Sequence, residues 1–199
     1  MAINYTVLKL ECQNNPNGYS YTDPVSNTTL TLAQWFAAGS DNAVAACLNV
    51  VLPAFWVYRT DIPVAEVFDA IIWANLTPSD FVPTDTALNN AIYQSRQLVC
   101  QTKQMNLQTL VMGQAVLDGS KANIRSGLSD ALTNIPSGAS GALRSAGWTT
   151  VRDTVLARAA TRAEKLYATG GNGSTPALAA TLTFEGAITA QDIQAARAA

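Results

Sequence analysis

Histidine is missing from the sequence altogether, and its absence removes several kinds of active site at once. Histidine is the commonest general base and the commonest protein ligand of metals, and the serine–histidine and cysteine–histidine pairs of hydrolases depend on it. The three cysteines, Cys12, Cys47 and Cys100, form no Cys-x-x-Cys pair, and an odd number cannot form a complete set of disulfides. We therefore predict no catalytic, metal-binding or cofactor-binding residues, and we expect no enzymatic activity.

Charged residues are also scarce. They make up 13% of the 199 residues, whereas about a quarter is usual in soluble proteins. Alanine, threonine, asparagine, glutamine and serine take their place. A surface with so few charges favours a subunit that is covered by copies of itself or by other proteins.

The few charges are divided unevenly along the chain. Residues 1–120 carry four basic and nine acidic side chains, and residues 121–199 carry eight basic and five acidic ones. The arginines of the second part are spaced as on a helix and are mixed with acids, so nucleic-acid binding is the less favoured interpretation. The favoured interpretation is that opposite-signed surfaces of neighbouring copies meet.

No apolar run reaches the roughly 18 to 20 residues of a membrane-spanning helix. The apolar stretch from Leu48 to Val57 is interrupted by Pro53 and followed by Arg59. We therefore expect no membrane partner. The odd cysteine count and the lack of an apolar signal segment after Met1 favour synthesis in a reducing cytoplasm.

Hydrophobic periodicity and capping signals predict a largely helical chain. Thr31 with Gln34, and Thr189 with Asp192, have the spacing of helix N-caps. Residues 3–11 fit either a strand or a short helix, and residues 180–185 alternate like a strand. Helices are predicted over 31–38, 42–52, 61–76, 84–117, 122–135, 148–168 and from 189 onwards, with 142–146 as a candidate for a short one.

The predicted fold class is mainly α: a helical bundle with one long helix and short β segments near the N- and C-termini. Residues 1–169 form the predicted helical domain, and residues 170–199 form a C-terminal arm made of a hinge, a short strand and a short helix. A lone strand leaves its backbone groups unpaired. The strand of the arm is therefore expected to pair with the N-terminal segment or with another copy.

The longest predicted helix, 84–117, carries many glutamines and few charges, with only Arg96 and Lys103 charged between Asp85 and Asp118. At about 1.5 Å per residue it would span roughly 50 Å if unbroken, which is more than a small domain needs for its own core. We therefore do not expect it to lie free in solvent. Its predicted buried stripe consists of Leu88, Ile92, Ser95, Val99, Thr102, Asn106, Leu110, Gln114 and Leu117.

Six residues are candidates for an interface with partner proteins. A tryptophan that follows the helix-breaking Pro53 is a candidate for an exposed aromatic anchor. Arginines of the predicted helix over 148–168 would supply basic contacts, and the strand of the arm would supply apolar ones. The six are Trp56, Arg152, Arg158, Arg162, Leu182 and Phe184.

Two sets of residues near the ends of the chain form motifs. The N-terminal set reads Leu8-Lys9-Leu10-Glu11 and then Asn15-Pro16-Asn17-Gly18-Tyr19. The C-terminal set reads Thr161-Arg162-Ala163-Glu164-Lys165-Leu166-Tyr167, then Gly170, Thr183-Phe184-Glu185-Gly186 and Asp192-Ile193. Together they resemble a family of tailed-bacteriophage proteins encoded among the head and neck genes, which includes small helical head-tail connector or adaptor proteins.

This resemblance implies a structural protein of the virion neck that is made in the cytoplasm of the host bacterium. It implies a ring of copies, twelve-fold in the adaptors, that lies between the portal protein and a tail or neck protein. DNA would pass through the lumen and be contacted only non-specifically. Two alternatives stay open: a capsid decoration or minor head protein, and a DNA-binding packaging accessory protein that uses the arginines of residues 144–165.

Overall fold

The computed structural model describes residues 3–77, 87–137 and 142–199. Contacts divide the chain into two compact units, which we call the terminal unit (Met1–Val57 with Ala159–Ala199) and the central unit (Tyr58–Arg158). Each unit has an apolar core of its own. The predicted boundary between residues 169 and 170 falls inside the terminal unit.

Helices and strands alternate along the described residues. The α-helices are α1 (Tyr5–Asn14), α2 (Leu32–Ala37), α3 (Asp41–Leu48), α4 (Val64–Ala70), α5 (Ala87–Val111), α6 (Ala122–Leu132), α7 (Trp148–Thr150), α8 (Arg162–Leu166) and α9 (Ala190–Ala198). Trp73–Leu76 and Pro176–Leu178 are 3₁₀ segments, and Val151–Val155 is a π-helical turn.

The strands are β1 (Ser20–Thr22), β2 (Thr29–Thr31), β3 (Val51–Tyr58), β4 (Ile62–Pro63), β5 (Val116–Leu117), β6 (Ile135–Ser137), β7 (Ala142–Arg144), β8 (Ala157–Thr161), β9 (Ala168–Thr169) and β10 (Thr181–Leu182). Within the described ranges they pair in two-stranded sheets: β1 with β2, β3 with β8, β4 with β5, β6 with β7 and β9 with β10.

The predicted class, a mainly α bundle with β segments only near the termini, is wrong. About 51% of the residues are helical and 19% are in strands, and small sheets occur throughout the chain, so the fold is mixed α/β. Strands β4, β5, β9 and β10 have only two residues each. A strand of two residues is too short to show the alternation by which strands are predicted, and its existence depends on a partner elsewhere in the chain.

The helix predicted over 148–168 is divided into several elements. Residues up to Val155 are helical, but residues 157–161 are extended as β8 and pair with β3. Helix α8 then begins with a capping box. The Thr161 hydroxyl accepts the Glu164 N–H at 3.2 Å, and the Glu164 carboxylate accepts the Thr161 N–H at 2.9 Å. Alanine and arginine favour helix over strand, so the residues themselves indicated a helix, and pairing with β3 overrides that preference.

Three further helix predictions need correction. The helix predicted over 42–52 ends at Leu48, and Val51 begins β3, whose valine and aromatic residues favour extended structure. The short helix over 142–146 is instead β7, which pairs antiparallel with β6. The helix predicted over 61–76 is α4 followed by a separate 3₁₀ segment.

Both predicted N-caps are confirmed as full capping boxes. The Thr31 N–H donates to the Gln34 side chain at 2.9 Å, and the Thr189 N–H donates to the Asp192 carboxylate at 2.8 Å. The N-terminal segment that fitted either a strand or a helix is α1, and the Asn4 side chain caps it. These features depend on residues a few positions apart, which is why they were predictable.

The C-terminal thirty residues contribute side chains to the core of the terminal unit. Phe184, Ile188 and Ile193 are buried in that core, and α9 packs against α1 and α3. Strand β10 pairs with β9, which precedes it by a single loop, and not with the N-terminal segment. The predicted pairing is therefore wrong, because a partner was available closer in the sequence.

The predicted hinge, residues 170–176, is a mostly exposed loop that is anchored to β3 at Gly173. Gly173 is buried with φ +65°, and a Cβ atom at this position would lie 2.6 Å from the ring of Phe55. The carbonyl of Gly173 accepts the N–H of Trp56 at 2.8 Å. Glycine is required here for close approach to a ring and for the left-handed backbone.

The central unit is built around α5 and α6. Leu107 and Val111 from α5 and Leu128 and Leu132 from α6 are buried together in its core. Among the residues that the structure describes, no helix has both the length and the apolar character needed to cross a membrane.

Candidate interaction surface

Arg162, a predicted interface residue, is held inside the terminal unit. Its Nη1 donates to the carbonyl of Ser20 at 2.8 Å and to that of Cys47 at 3.2 Å. Its guanidinium lies over the ring of Tyr19, 4.7 Å from the centroid, in a cation–π contact. These contacts tie α8 to β1 and α3, so the side chain serves the fold of this unit.

The three apolar candidates are also packed within the terminal unit. Leu182 and Phe184 are buried, and the Phe184 ring meets that of Tyr167 edge to face with centroids 5.4 Å apart. Trp56 is half-buried in β3. Leu182 pairs with Ala168 and Phe184 with Tyr167, which lie 14 and 17 residues away, outside the range of helix or strand periodicity.

The remaining candidates, Arg152 and Arg158, lie in the central unit. Arg152 makes a two-point contact with its neighbour Asp153, at 2.5 and 2.9 Å, and the hydrogen bond lowers the pKa of Asp153. Arg158 is half-buried in β8. The structure therefore does not gather the six predicted residues into one surface of one unit.

Several side chains that could carry chemistry are buried thiols or acids paired with a basic residue. Burial raises the pKa of Cys12 to about 12 and also raises that of Cys47, so both are neutral thiols at neutral pH. The pKa of Glu66 is lowered by a hydrogen bond from Arg59 at 2.5 Å. Within the described ranges no group of three or more Cys, Asp or Glu is arranged to hold a metal ion.

A polar groove of about 590 Å³ lies in the terminal unit beside Trp35 and the first turn of α3. Its two carboxylates already have partners. Asp41 accepts the Nε of Arg197 at 2.7 Å, and Asp23 accepts the hydroxyl of Ser26 at 2.7 Å within its own turn. Both acids are therefore engaged in holding the local structure.

The long helix α5 buries a different face from the predicted one. Cys100, Leu107 and Val111 are buried in the core of the central unit. The helix ends at Val111 instead of residue 117, and the predicted start at 84–86 lies outside the described residues. Five members of the predicted stripe are exposed: Ser95, Val99, Thr102, Asn106 and Gln114. Apolar residues occur on more than one face of this helix, so periodicity supports more than one stripe.

The opposite face of α5 carries a row of exposed apolar side chains, which we call the outer row. It consists of Leu98, Met105 and Met112, which are 64%, 65% and 76% exposed. The three are seven residues apart, which is close to two helical turns, so they lie along one line of the helix. Met112 follows the last residue of α5, and its N–H still donates to the carbonyl of Gln108 at 2.8 Å as in a helix.

Uncharged polar side chains border the outer row. Of the two charged residues on α5, Arg96 is half-buried, and Lys103 is mostly buried and contacts Asp130 at 2.9 Å. Exposed faces of surface helices ordinarily carry charges. The residues that flank the outer row are Gln94, Gln101 and Gln108 on one side and Ser95, Thr102 and Thr109 on the other, all exposed.

An aromatic groove of about 280 Å³ lies beside the glutamine flank of α5. Phe68 and Trp73 form its wall, with ring centroids 5.6 Å apart in an edge-to-face contact. Trp73 is 51% exposed, and Gln104, Leu107 and Gln108 complete the lining. Gln108 lines the groove and also flanks the outer row, so the two features lie next to each other on the central unit.

The outer row and the aromatic groove suit contact with another protein. Interface centres are poor in charge and enriched in methionine and aromatic residues. Nucleic acid is bound chiefly through lysine and arginine, which this surface lacks. The outer row was not predicted, although its seven-residue spacing is visible in the sequence, because burial alone shows which apolar row of α5 faces outwards.

Comparisons with known proteins found no relative of this chain. No protein-family model, no curated protein and no solved structure matches it.

Proposed function

We propose that this chain is a structural subunit of a tailed-bacteriophage neck, a head-tail adaptor that forms a ring between the portal and the tail. Its role in this proposal is to hold other proteins together while DNA passes, and not to catalyse a reaction. The observation that carries the proposal is that the two terminal motifs, which resemble the adaptor family, come together in one packed unit.

The motif segments from the two ends of the chain contact one another in the terminal unit. The guanidinium of Arg162, from the C-terminal motif, lies over the ring of Tyr19, from the N-terminal motif, 4.7 Å from the centroid. Within the C-terminal motif, the Gly186 N–H donates to the Glu164 carboxylate at 3.2 Å. Segments more than 140 residues apart thus belong to one scaffold. A resemblance confined to such segments is what two proteins with a common scaffold would show.

The motif residues have structural roles in this scaffold. Asn15, in the left-handed conformation at φ 45°, ends α1 and donates its N–H to the carbonyl of Glu11 at 2.8 Å. Gly18 has φ +66°, and Tyr19 is buried. Glu164 is buried and caps α8. A motif made of caps and turns specifies a fold, so the function must come from the surfaces that the fold presents.

The surface of the central unit supports a role in protein assembly. The exposed face of α5 is apolar and uncharged, as expected of a subunit that is covered by other proteins. Several arginines that DNA binding would use are engaged within the chain. Arg144 donates to carbonyls at the end of the Trp73–Leu76 segment, and Arg162 to those of Ser20 and Cys47. Non-specific passage of DNA is therefore favoured over a DNA-binding packaging role.

A reconstruction of the phage particle by electron cryomicroscopy tests the proposal. We expect density for this chain as a ring on the portal axis, with the twelve-fold symmetry of the adaptors. Density on the outside of the shell would replace the adaptor role by that of a decoration or minor head protein. Nanomolar binding of the purified protein to duplex DNA, with a steep dependence on salt, would favour the packaging role instead.

A further inference from the structure

We propose that the outer face of α5 pairs with the same face of a second copy of this chain, with the two helices antiparallel about a two-fold axis at Met105. The exposure and spacing of the α5 residues carry this proposal, which stands apart from the proposed function.

The spacing of the outer row indicates a helix as the partner. Apolar side chains that repeat every seven residues form a straight seam, and such a seam fits the equivalent seam of another helix. The seam Leu98, Met105 and Met112 lies opposite the buried residues Cys100 and Leu107, so α5 is apolar on two opposite sides. One side is covered by the core of the central unit. The other needs a partner from outside.

The α5 residues of this face carry no charge, and the Asp130 carboxylate that contacts Asn106 is already paired with Lys103, so the face suits a partner that is itself uncharged there. The exposed residues from Gln94 to Met112 on the outer face are glutamine, serine, threonine, asparagine, leucine, methionine and valine. A charged partner would lose its hydration without gaining an ion pair. A second copy meets the requirement, because it brings the same uncharged face.

The antiparallel pair is self-complementary in sequence. Leu98 and Met112 lie about 10.5 Å on either side of Met105, at 1.5 Å per residue. A two-fold axis at Met105 therefore places Leu98 beside the partner's Met112. It also places Gln101 beside the partner's Gln108, and Thr102 beside the partner's Thr109. Glutamine amides and threonine hydroxyls both donate and accept hydrogen bonds, so each polar row can form hydrogen bonds with the same row of the partner.

The antiparallel arrangement is favoured over the parallel one. In a parallel pair the glutamine flank of one helix would face the serine and threonine flank of the other, and the two helix dipoles would point the same way. In the antiparallel pair the dipoles oppose and amides face amides. The symmetry is that of a closed dimer, in which the same patch is used twice.

The size of the face sets the strength of the contact. The stretch from residue 94 to residue 112 is about 27 Å long, and a helix is roughly 10 Å wide. This footprint is well below the area of about 800 Å² per partner that stable complexes bury. The dimer is therefore weak and reversible. A ring with a portal side and a tail side has no two-fold axes of this kind, so the pairing belongs to the free subunit and opens when the same face is covered by other proteins in the ring.

Sedimentation equilibrium of the full-length protein over a range of concentrations tests the pairing. We expect a monomer–dimer equilibrium in the micromolar to millimolar range. Met105→Glu places two carboxylates at the axis and should weaken the dimer at least tenfold. Leu143→Glu is the matched control, since Leu143 is 64% exposed on β7, and it should leave the dissociation constant unchanged. Circular dichroism checks that both variants are folded.

Cysteine cross-linking tests the antiparallel register. The native cysteines are buried, so the introduced thiols react first. A mixture of Leu98→Cys and Met112→Cys proteins should form a disulfide-linked heterodimer, and neither variant alone should cross-link as fast. A chain that stays monomeric up to millimolar concentration would overturn the proposal, and so would equal loss of dimer in Leu143→Glu. Faster cross-linking of Leu98→Cys alone would overturn the antiparallel arrangement.

Discussion

Removal of the C-terminal segment should unfold the terminal unit, because this segment supplies part of its core. A chain that ends at residue 171 loses four large buried side chains: Leu182, Phe184, Ile188 and Ile193. Burial of such a side chain stabilises by about 1.5–3 kcal/mol, so the loss amounts to about 6–12 kcal/mol. The net stability of a domain is about 5–15 kcal/mol. The truncated terminal unit is therefore expected to be unfolded or nearly so.

Hydrogen exchange followed by mass spectrometry is the suitable assay, because it reports on each unit separately. Amides of α1 and α3 should lose their protection in the truncated chain. A pair of neighbouring point variants gives a finer test. Ile193→Ala should lower the free energy of unfolding by about 2–5 kcal/mol, since Ile193 is fully buried. Gln194→Ala, at an exposed position of the same helix, should change it by less than about 0.5 kcal/mol.

The reasoning would be refuted if the truncated chain kept the exchange protection of α1 and α3. Residues 172–199 would then be a separable arm, as the sequence had indicated, and their burial in the structure would contribute little to the stability of the unit. Equal effects of Ile193→Ala and Gln194→Ala would also contradict it.

Three further predictions concern single contacts. Arg162→Glu should lower the free energy of unfolding by about 1–3 kcal/mol in total, because it removes the bonds to the Ser20 and Cys47 carbonyls and the contact with the Tyr19 ring. Arg162→Lys should cost less, and unchanged urea midpoints would contradict the internal role of Arg162. Gly173→Ala should destabilise the terminal unit by more than about 1 kcal/mol, since φ is +65° and the new Cβ would meet the Phe55 ring. Gly18→Ala is the control and should cost less, because φ is also positive there but the space around the new Cβ is open. Hydrogen bonds from Arg59 and Lys103 lower the pKa values of Glu66 and Asp130. The stability that these two ion pairs contribute is therefore present above the unfolded pKa values of about 4.3 and 3.9, and it is lost as pH falls through the lower folded values. Urea denaturation at pH 7 and pH 3 should show this loss, and the difference between the two pH values should be smaller in Glu66→Gln and Asp130→Asn.

Part of the interaction surface could have been found in the sequence. The seven-residue spacing of Leu98, Met105 and Met112 is plain to read, and so are the glutamines and threonines beside it. The buried stripe of α5 was placed on the wrong face, however, because two apolar rows compete in this helix. Which of them is buried depends on the side chains that α6 presents, and no local pattern contains that information.

The predicted interface residues show the same limit of local sequence patterns. Phe184 and Arg162 were chosen because one looked like an exposed strand residue and the other like a surface arginine. In the structure Phe184 packs on Tyr167, and Arg162 bonds to residues of β1 and α3. These contact partners are 17 to 142 residues away in the sequence, so neighbouring residues did not reveal the contacts of either side chain.

The sequence by itself determined the features that depend on neighbouring residues. The capping boxes at Thr31 and Thr189, the long α5 and the small number of charges follow directly from the order and kind of residues. The tertiary structure alone decided that residues 157–161 are a strand, that the C-terminal residues complete a core, and which face of α5 is exposed. The physical reason is that a strand of a few residues, or a face of a helix, is stabilised by atoms that lie elsewhere in the chain. Local preferences are too weak to choose among the alternatives before those atoms are in place.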